Sequence, residues 1–264
     1  MTDSLGHTNT TEEEVADSYA KAFGSYHDAV ASGRFHKLVL ARKRRMATAC
    51  DTPLAQFEAA CRRYPRMMIM LFSTPQSGTW LISSPEVLLE SNREGLHTIA
   101  LAGTMPYAEG YAEWNEKNKA EQHIVEQYIA DTIAPLAHSI VKDGPYTMRA
   151  GNLQHLRSDF RFQMNGGVGQ LIARLHPTPA VCGLPKQEAQ RFIIENEGME
   201  RRYYSGFAGP VTKDSMHLFV SLRCAELFSD HAVLYAGGGI MPDSQCESEW
   251  KETESKMQTI GHVL

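Results

Sequence analysis

Residues 67–102 read MMIMLFSTPQSGTWLISSPEVLLESNREGLHTIALA. Four apolar runs, at 67–73, 79–83, 87–91 and 96–102, are separated by short breaks carrying Pro75, Gly78, Pro85, Asn92 and Gly95. Runs of this length, punctuated in this way, predict strands following one another as a meander. Toward the N-terminus, residues 37–42 (Lys-Leu-Val-Leu-Ala-Arg) predict another strand, and residues 53–64 a helix. Residues 12–32 predict an amphipathic helix, with Val15, Tyr19, Phe23 and Val30 at helical spacing and Gly33 as its stop. The first ten residues are polar and are expected to be mobile, leaving one domain over 11–264.

Toward the C-terminus, residues 113–137 predict a long charged helix, 145–148 and 153–163 extended segments, and 166–175 a helix. A proline-rich loop, His176-Pro-Thr-Pro-Ala-Val-Cys-Gly-Leu-Pro185, leads into a helix at 186–195. Strand signals follow at 204–211, 216–227 and 232–236, then a glycine turn and a last helix from Glu247. Helices mixed with hairpin-spaced strands indicate an α+β fold, largely antiparallel sheets flanked by helices. No internal repeat is visible.

The bulk properties exclude several function classes. The 264 residues are 42% apolar, and no run approaches the roughly 20 apolar residues of a membrane-spanning helix. The acidic N-terminus is neither a secretory signal nor an Arg-rich transit peptide, so a cytoplasmic protein is expected. With a net charge of −5 and one short basic run, Arg42-Lys-Arg-Arg45, read as a solvated strand edge, nucleic acid is not an expected partner. The cysteines (50, 61, 182, 224 and 246) form no CxxC pair and are expected to be reduced thiols. None of the 11 histidines forms an HxxxH or HExxH pair, which argues against a zinc hydrolase.

The last helix carries Glu249, Glu252 and Lys256 at i, i+3 and i+7, which places them on one face. Such a face is either a solvated ion pair or a pair of oxygen ligands for a hard divalent cation. Glu121 shares a helix face with Lys117 and Val125 and is open to the same two readings. The glycines at 237–239 allow close backbone approach in a tight turn, but Pro242 stands where a dinucleotide loop needs its third glycine. Alternation puts Lys37, Val39 and Ala41 on one strand face. Lys37 is either a strand-edge residue or a general base, the latter only if its pKa falls well below about 10.4. Glu86, after Pro85, is either a surface carboxylate or a general acid.

Read in order, these segments resemble the chorismate-utilising enzyme family. The blocks that carry the resemblance are Lys37–Arg42, Ser84-Pro-Glu-Val-Leu-Leu89, Leu101-Ala-Gly-Thr104, Glu116-Lys-Asn-Lys-Ala-Glu-Gln122 and His155-Leu156. They continue through His176-Pro-Thr-Pro-Ala180, Tyr204-Ser-Gly206, Leu222-Arg-Cys-Ala225, Ala236-Gly-Gly-Gly-Ile240 and Glu249-Trp-Lys-Glu-Thr253. The ammonia-adding members lack the strand lysine and carry His-Pro-x-Gly-Thr in the proline loop. Lys37 and the loop ending in Ala180 resemble the isochorismate synthases, whereas salicylate synthases have threonine at the Ala180 position.

The resemblance implies a chorismate-binding fold and a magnesium-dependent isomerisation of chorismate to isochorismate. It implies Lys37 as base toward water attacking C2 and Glu86 as acid toward the C4 hydroxyl, with Glu121, Glu249 and Glu252 at the metal. Substrate contacts are implied at Gly103, Thr104, His155, Ala180, Tyr204, Gly206, Arg223, Gly237, Gly239 and Lys256. It also implies a longer segment before the strand lysine than the 36 residues here, so that the N-terminal part of the fold is shortened. A minimal form, or open sheet edges covered by a partner or another copy, is then expected, as a monomer or a homodimer. Salicylate synthase activity, or a catalytically idle chorismate-binding domain, are the alternatives.

Overall fold

A computed structural model describes residues 12–48, 52–110 and 112–264; the first ten residues and Cys50 lie outside them. The helices are α1 (Glu12–Ala31), α2 (Pro53–Arg63), α3 (Glu116–Ile133), α4 (Val168–Leu175), α5 (Lys186–Asn196) and α6 (Cys246–Gly261). The strands are β1 (Lys37–Ala47), β2 (Met68–Thr74), β3 (Gly78–Ser84), β4 (Val87–Asn92), β5 (Gly95–Pro106) and β6 (His138–Ala150). They continue as β7 (Leu153–Gln163), β8 (Gly183–Leu184), β9 (Phe207–Ala208), β10 (Met216–Val220), β11 (Arg223–Leu227) and β12 (His231–Ile240).

The four strands of residues 67–102 are present, but they do not form one meander. β2 and β3 belong to a sheet ordered β2-β3-β11-β12-β1-β8, and β4 and β5 to a sheet ordered β6-β7-β5-β4-β10-β9. Every strand pairing described is antiparallel. The chain passes between the sheets at Pro85, where proline cannot donate to a ladder. The single strand expected over 216–227 is likewise divided: β10 lies in the second sheet and β11 in the first, with Ser221 and Leu222 between them. The strand expected at 204–211 shrinks to β9, because Tyr204 and its neighbours form a turn in which Ser205 has φ 65°.

The glycine turn is also corrected. Gly237, Gly238 and Gly239 lie inside β12 and pair with Ala41, Leu40 and Val39 of β1. The helix expected over 113–137 is trimmed at both ends. Asn115 caps α3 by accepting from the Asn118 N–H at 2.8 Å, and Pro135 follows soon after its last residue.

Helices cover one face of each sheet. Tyr19, Phe23, Tyr26 and Val30 of α1 pack with Phe192 and Ile193 of α5 against Leu38 and Leu40 of β1. Met257 and Ile260 of α6 cover Ala225 and Leu234. Val125, Ile129 and Ile133 of α3 join Leu171 and Leu175 of α4 over Leu89, Ala100 and Phe160. The basic run is only partly a solvated edge. Arg42 is 4% exposed, its guanidinium 3.6 Å from the Trp250 ring centroid, and with Arg44 it binds the Glu254 carboxylate. Among the described residues no helix is long and apolar enough to cross a membrane.

Candidate active site

The two crossings between the sheets run side by side and are tied together. Ser84 Oγ donates to the Val220 carbonyl at 2.5 Å and accepts from the Glu86 N–H, while the Val220 N–H donates to the Glu86 carbonyl at 3.0 Å. Glu86 is thereby held on one crossing, and Arg223, paired with Ser83, begins the strand after the other. A cavity opens beside them. Ten of the expected site residues line it: Glu86, Gly103, Thr104, Glu121, His155, Ala180, Tyr204, Arg223, Gly237 and Lys256. Leu101, Ala102, Leu222 and Ala236 supply the apolar remainder. A concave site with a few convergent polar groups suits a small ligand.

Glu86 is 2% exposed and accepts from Thr178 Oγ1 at 3.2 Å. Burial pushes its carboxyl up to about 7, against the opposing pull of Thr178, Arg223, Lys37 and Lys256. His155 Nδ1–H donates to the Gly103 carbonyl at 2.9 Å, which leaves Nε2 to accept from Arg223 Nη2 at 2.9 Å. Burial and the adjacent guanidinium hold the imidazole pKa well below its usual value, so it is neutral. Tyr204 stacks near Tyr235, and its hydroxyl approaches Gly237, where a Cβ would lie 2.6 Å from it. Lys256 Nζ donates to the Gly237 carbonyl at 2.8 Å.

Lys37 lies behind the cavity wall, fully buried, on the side of β1 opposite the α1 core. Its Nζ is 2.8 Å from Glu121 Oε1, a buried ion pair. Despite burial, Lys37 and Lys117 hold the Glu121 carboxyl below its usual range. Gly239 does not line the cavity; it makes room for this pair. A Cβ there would collide with Glu121 Oε1 and lie 2.5 Å from Lys37 Cε. Gly206 also stands outside the cavity lining, in the turn that carries Tyr204. Gly239→Ala is expected to cost about 1–3 kcal/mol through overpacking and to disrupt the Lys37–Glu121 pair. Thermal unfolding and turnover measured together check this, and unchanged turnover refutes the spacing role.

Glu249 and Glu252 flank Gly238, where a Cβ would lie 3.1 Å from Glu249 Oε2 and 3.8 Å from Glu252 Oε1. Among the described residues, no three His, Cys, Asp or Glu side chains already surround one point that could hold an ion. The donor set nevertheless fits a hard cation such as magnesium, which prefers carboxylate oxygens. Glu249 is 1% exposed, and its Oε2 is buried without a partner. Burial and the neighbouring Glu252 push its carboxyl above the usual range, the mark of an anion short of a counter-charge.

Some contributors were not singled out in the sequence. β8 pairs only with Lys37 and Leu38, and beyond it a buried ion pair covers the edge of β1. Glu197 accepts from the Ala41 N–H at 2.7 Å, and Arg201 donates to the Val39 and Val181 carbonyls and to Ser205 Oγ. This pair fastens β1 to the loop beside Ala180 and to the turn beside Tyr204. Its only signal in the sequence is an i,i+4 Glu–Arg spacing, common on exposed helices. Lys117, which binds Glu249, was visible only as a neighbour of Glu121 on its helix face.

The chain is 32% identical over 246 residues to isochorismate synthase MenF of Escherichia coli K12, covering 89% of this chain and 57% of that protein. It is 31% identical over 254 residues to the salicylate biosynthesis isochorismate synthase of Pseudomonas aeruginosa, covering 90% and 53%. The chain thus spans little more than half the length of these relatives. The solved structure of the Escherichia coli MenF superposes with a TM-score of 0.85 at 28% identity, over 94% of this chain and 61% of that one. Anthranilate synthase component I of Streptococcus pneumoniae, at 20% identity and a TM-score of 0.79, shares the fold. The chorismate binding enzyme family matches residues 2–264, and the chain belongs to that family.

Proposed function

We propose that this chain converts chorismate to isochorismate in a magnesium-dependent isomerisation. The observation that carries the reading is Glu86: a buried carboxyl with a pKa of about 7, placed at a cavity that also holds Arg223 and Lys256. A general acid working near neutral pH needs such a value. The identity to relatives named isochorismate synthases supports the choice of substrate and product.

Arg223 and Tyr204 hold the enolpyruvyl carboxylate, the guanidinium by charge-assisted hydrogen bonds. His155, fixed as the neutral tautomer, orients Arg223 and lines the ring pocket with Ala180. Gly103, Thr104, Gly237 and Lys256 complete the polar wall. Glu121, Glu249 and Glu252 would hold magnesium, which would supply charge neutralisation and a template for the ring carboxylate. Glu121 Oε1 faces Lys37 as the partner of an ammonium, so Lys37 gives a proton to solvent before it acts as the base. Lys37 takes a proton from water as its oxygen bonds to C2. Both ring double bonds shift, from C1=C2 to C1=C6 and from C5=C6 to C4=C5, the C4–oxygen bond breaks, and Glu86 gives its proton to the departing hydroxyl. One water enters and one leaves, so the product is an isomer of the substrate.

The reading includes a reducing, cytosolic setting, supported by unpaired thiols at Cys61, Cys182, Cys224 and Cys246. Purified protein is to be incubated with chorismate, with and without magnesium, and the products resolved chromatographically. Magnesium-dependent isochorismate, with little salicylate, is the expected result. Predominant salicylate refutes the product assignment. No product from folded protein that still binds chorismate refutes catalysis by this chain alone.

A further inference from the structure

Each of the three acidic residues at the cation site is held by a different ammonium group. Glu121 pairs with Lys37 at 2.8 Å, Glu252 with Lys256 at 2.7 Å, and Glu249 with Lys117. Lys37 and Lys256 have other work at the cavity. Lys117 does not line it: it comes from the first turn of α3 and reaches across to α6, where it pairs with Glu249. The two partners differ in burial, Lys117 being 21% exposed and Glu249 1%. The lysine, on its long flexible stem, can withdraw to solvent; the glutamate cannot.

We propose that Lys117 is a resident counter-cation that competes with the divalent ion for Glu249. The inference rests on the reading of Glu121, Glu249 and Glu252 as the cation site. Charge counting supports it. Three carboxylates and three ammonium groups sum to zero, so a dication entering that set leaves +2, whereas without the Lys117 charge it leaves +1. Geometry supports it independently. Lys117 occupies Glu249 Oε1, while Oε2 stays buried without a partner. Gly238, lacking a side chain, leaves free the space between Oε2 and Glu252, whose Oε1 is held by Lys256. Lys117 thus neutralises the site while it is empty, at the expense of cation affinity.

The test is titration of substrate-free protein with Mn2+, followed by calorimetry and by the electron paramagnetic resonance signal of the free ion. Wild type, Lys117→Met, Lys117→Gln and Glu249→Gln are compared, with thermal unfolding to establish that each is folded. The glutamine variant keeps a hydrogen-bond donor to Glu249 and guards against misfolding of the methionine variant. Both Lys117 variants are expected to bind Mn2+ at least tenfold more tightly than wild type, and Glu249→Gln to lose that binding. Equal or weaker binding in the Lys117 variants, with loss in Glu249→Gln, overturns the competition while leaving the cation site standing. Absence of binding in every protein, with or without chorismate, overturns the cation site and this inference with it.

Discussion

Glu86→Gln is expected to lower kcat by roughly 10^2- to 10^4-fold, the range for removing a general acid, while making the protein more stable at pH 8. The two effects have one cause. The folded-state pKa of about 7 lies above the ordinary 4.5 because burial disfavours the carboxylate. Between those values the folded chain holds a proton that the unfolded chain has released. The stability contribution is therefore complete below about pH 4.5 and is lost as pH rises through 7. At pH 8 the wild type carries a buried charge costing roughly 3 kcal/mol, since each tenfold change in an ionisation equilibrium is worth about 1.4 kcal/mol. Glutamine has the shape of the protonated acid and can still accept from Thr178, but it cannot be ionised. Its unfolding free energy should lack the decline between pH 5 and 8. Wild-type kcat/KM should fall above about pH 7, and the residual activity of the variant should not follow that fall. A variant that is less stable than wild type at pH 8, or as active, rules out a buried neutral acid at this position.

The sequence was most legible where one residue's neighbours in the chain are also its neighbours in space. Alternation put Lys37 on the face shared with Val39 and Ala41, and β1 places its partner Glu121 on that face. Helical spacing put Glu252 and Lys256 on one face, where they stand 2.7 Å apart. It was least legible where the chain changes sheets. Glu86 stayed open between a surface carboxylate and a general acid, because local hydrophobicity cannot tell a hairpin from a crossing when both carry a proline break. Gly237–Gly239 read as a turn for a similar reason. Three glycines usually signal backbone freedom, whereas here each absence of a Cβ admits a side chain from elsewhere: Tyr204, then Glu249, then Glu121 with Lys37. Such space is demanded by tertiary neighbours and has no local signature. The Glu197–Arg201 cover on β1 was equally hidden, since the strand edge it protects lies more than 150 residues earlier in the chain.

Lys37→Ala is expected to remove turnover altogether while leaving magnesium-dependent chorismate binding largely intact. The groups assigned to the substrate carboxylates, Arg223, Tyr204 and Lys256, do not touch Lys37, so the binding determinants survive. What the variant loses is the amine that takes the proton from water. It also leaves Glu121, 7% exposed, without the ammonium at 2.8 Å. Removing one partner of a buried ion pair costs about 3–5 kcal/mol, so the unfolding temperature of the metal-free variant should fall. Magnesium should restore part of that loss, because Glu121 gains another counter-charge. This separates two explanations of an inactive variant: a base-deficient site recovers stability with the metal, and a collapsed site does not. Small primary amines added to the medium provide a second separation. The space vacated beside Gly239 should admit ethylamine and return some isochorismate formation in Lys37→Ala, whereas Lys37→Met, which fills that space, should stay inactive at every amine concentration. Undiminished turnover in either variant removes Lys37 from the mechanism and leaves its ion pair with Glu121 as a structural contact only.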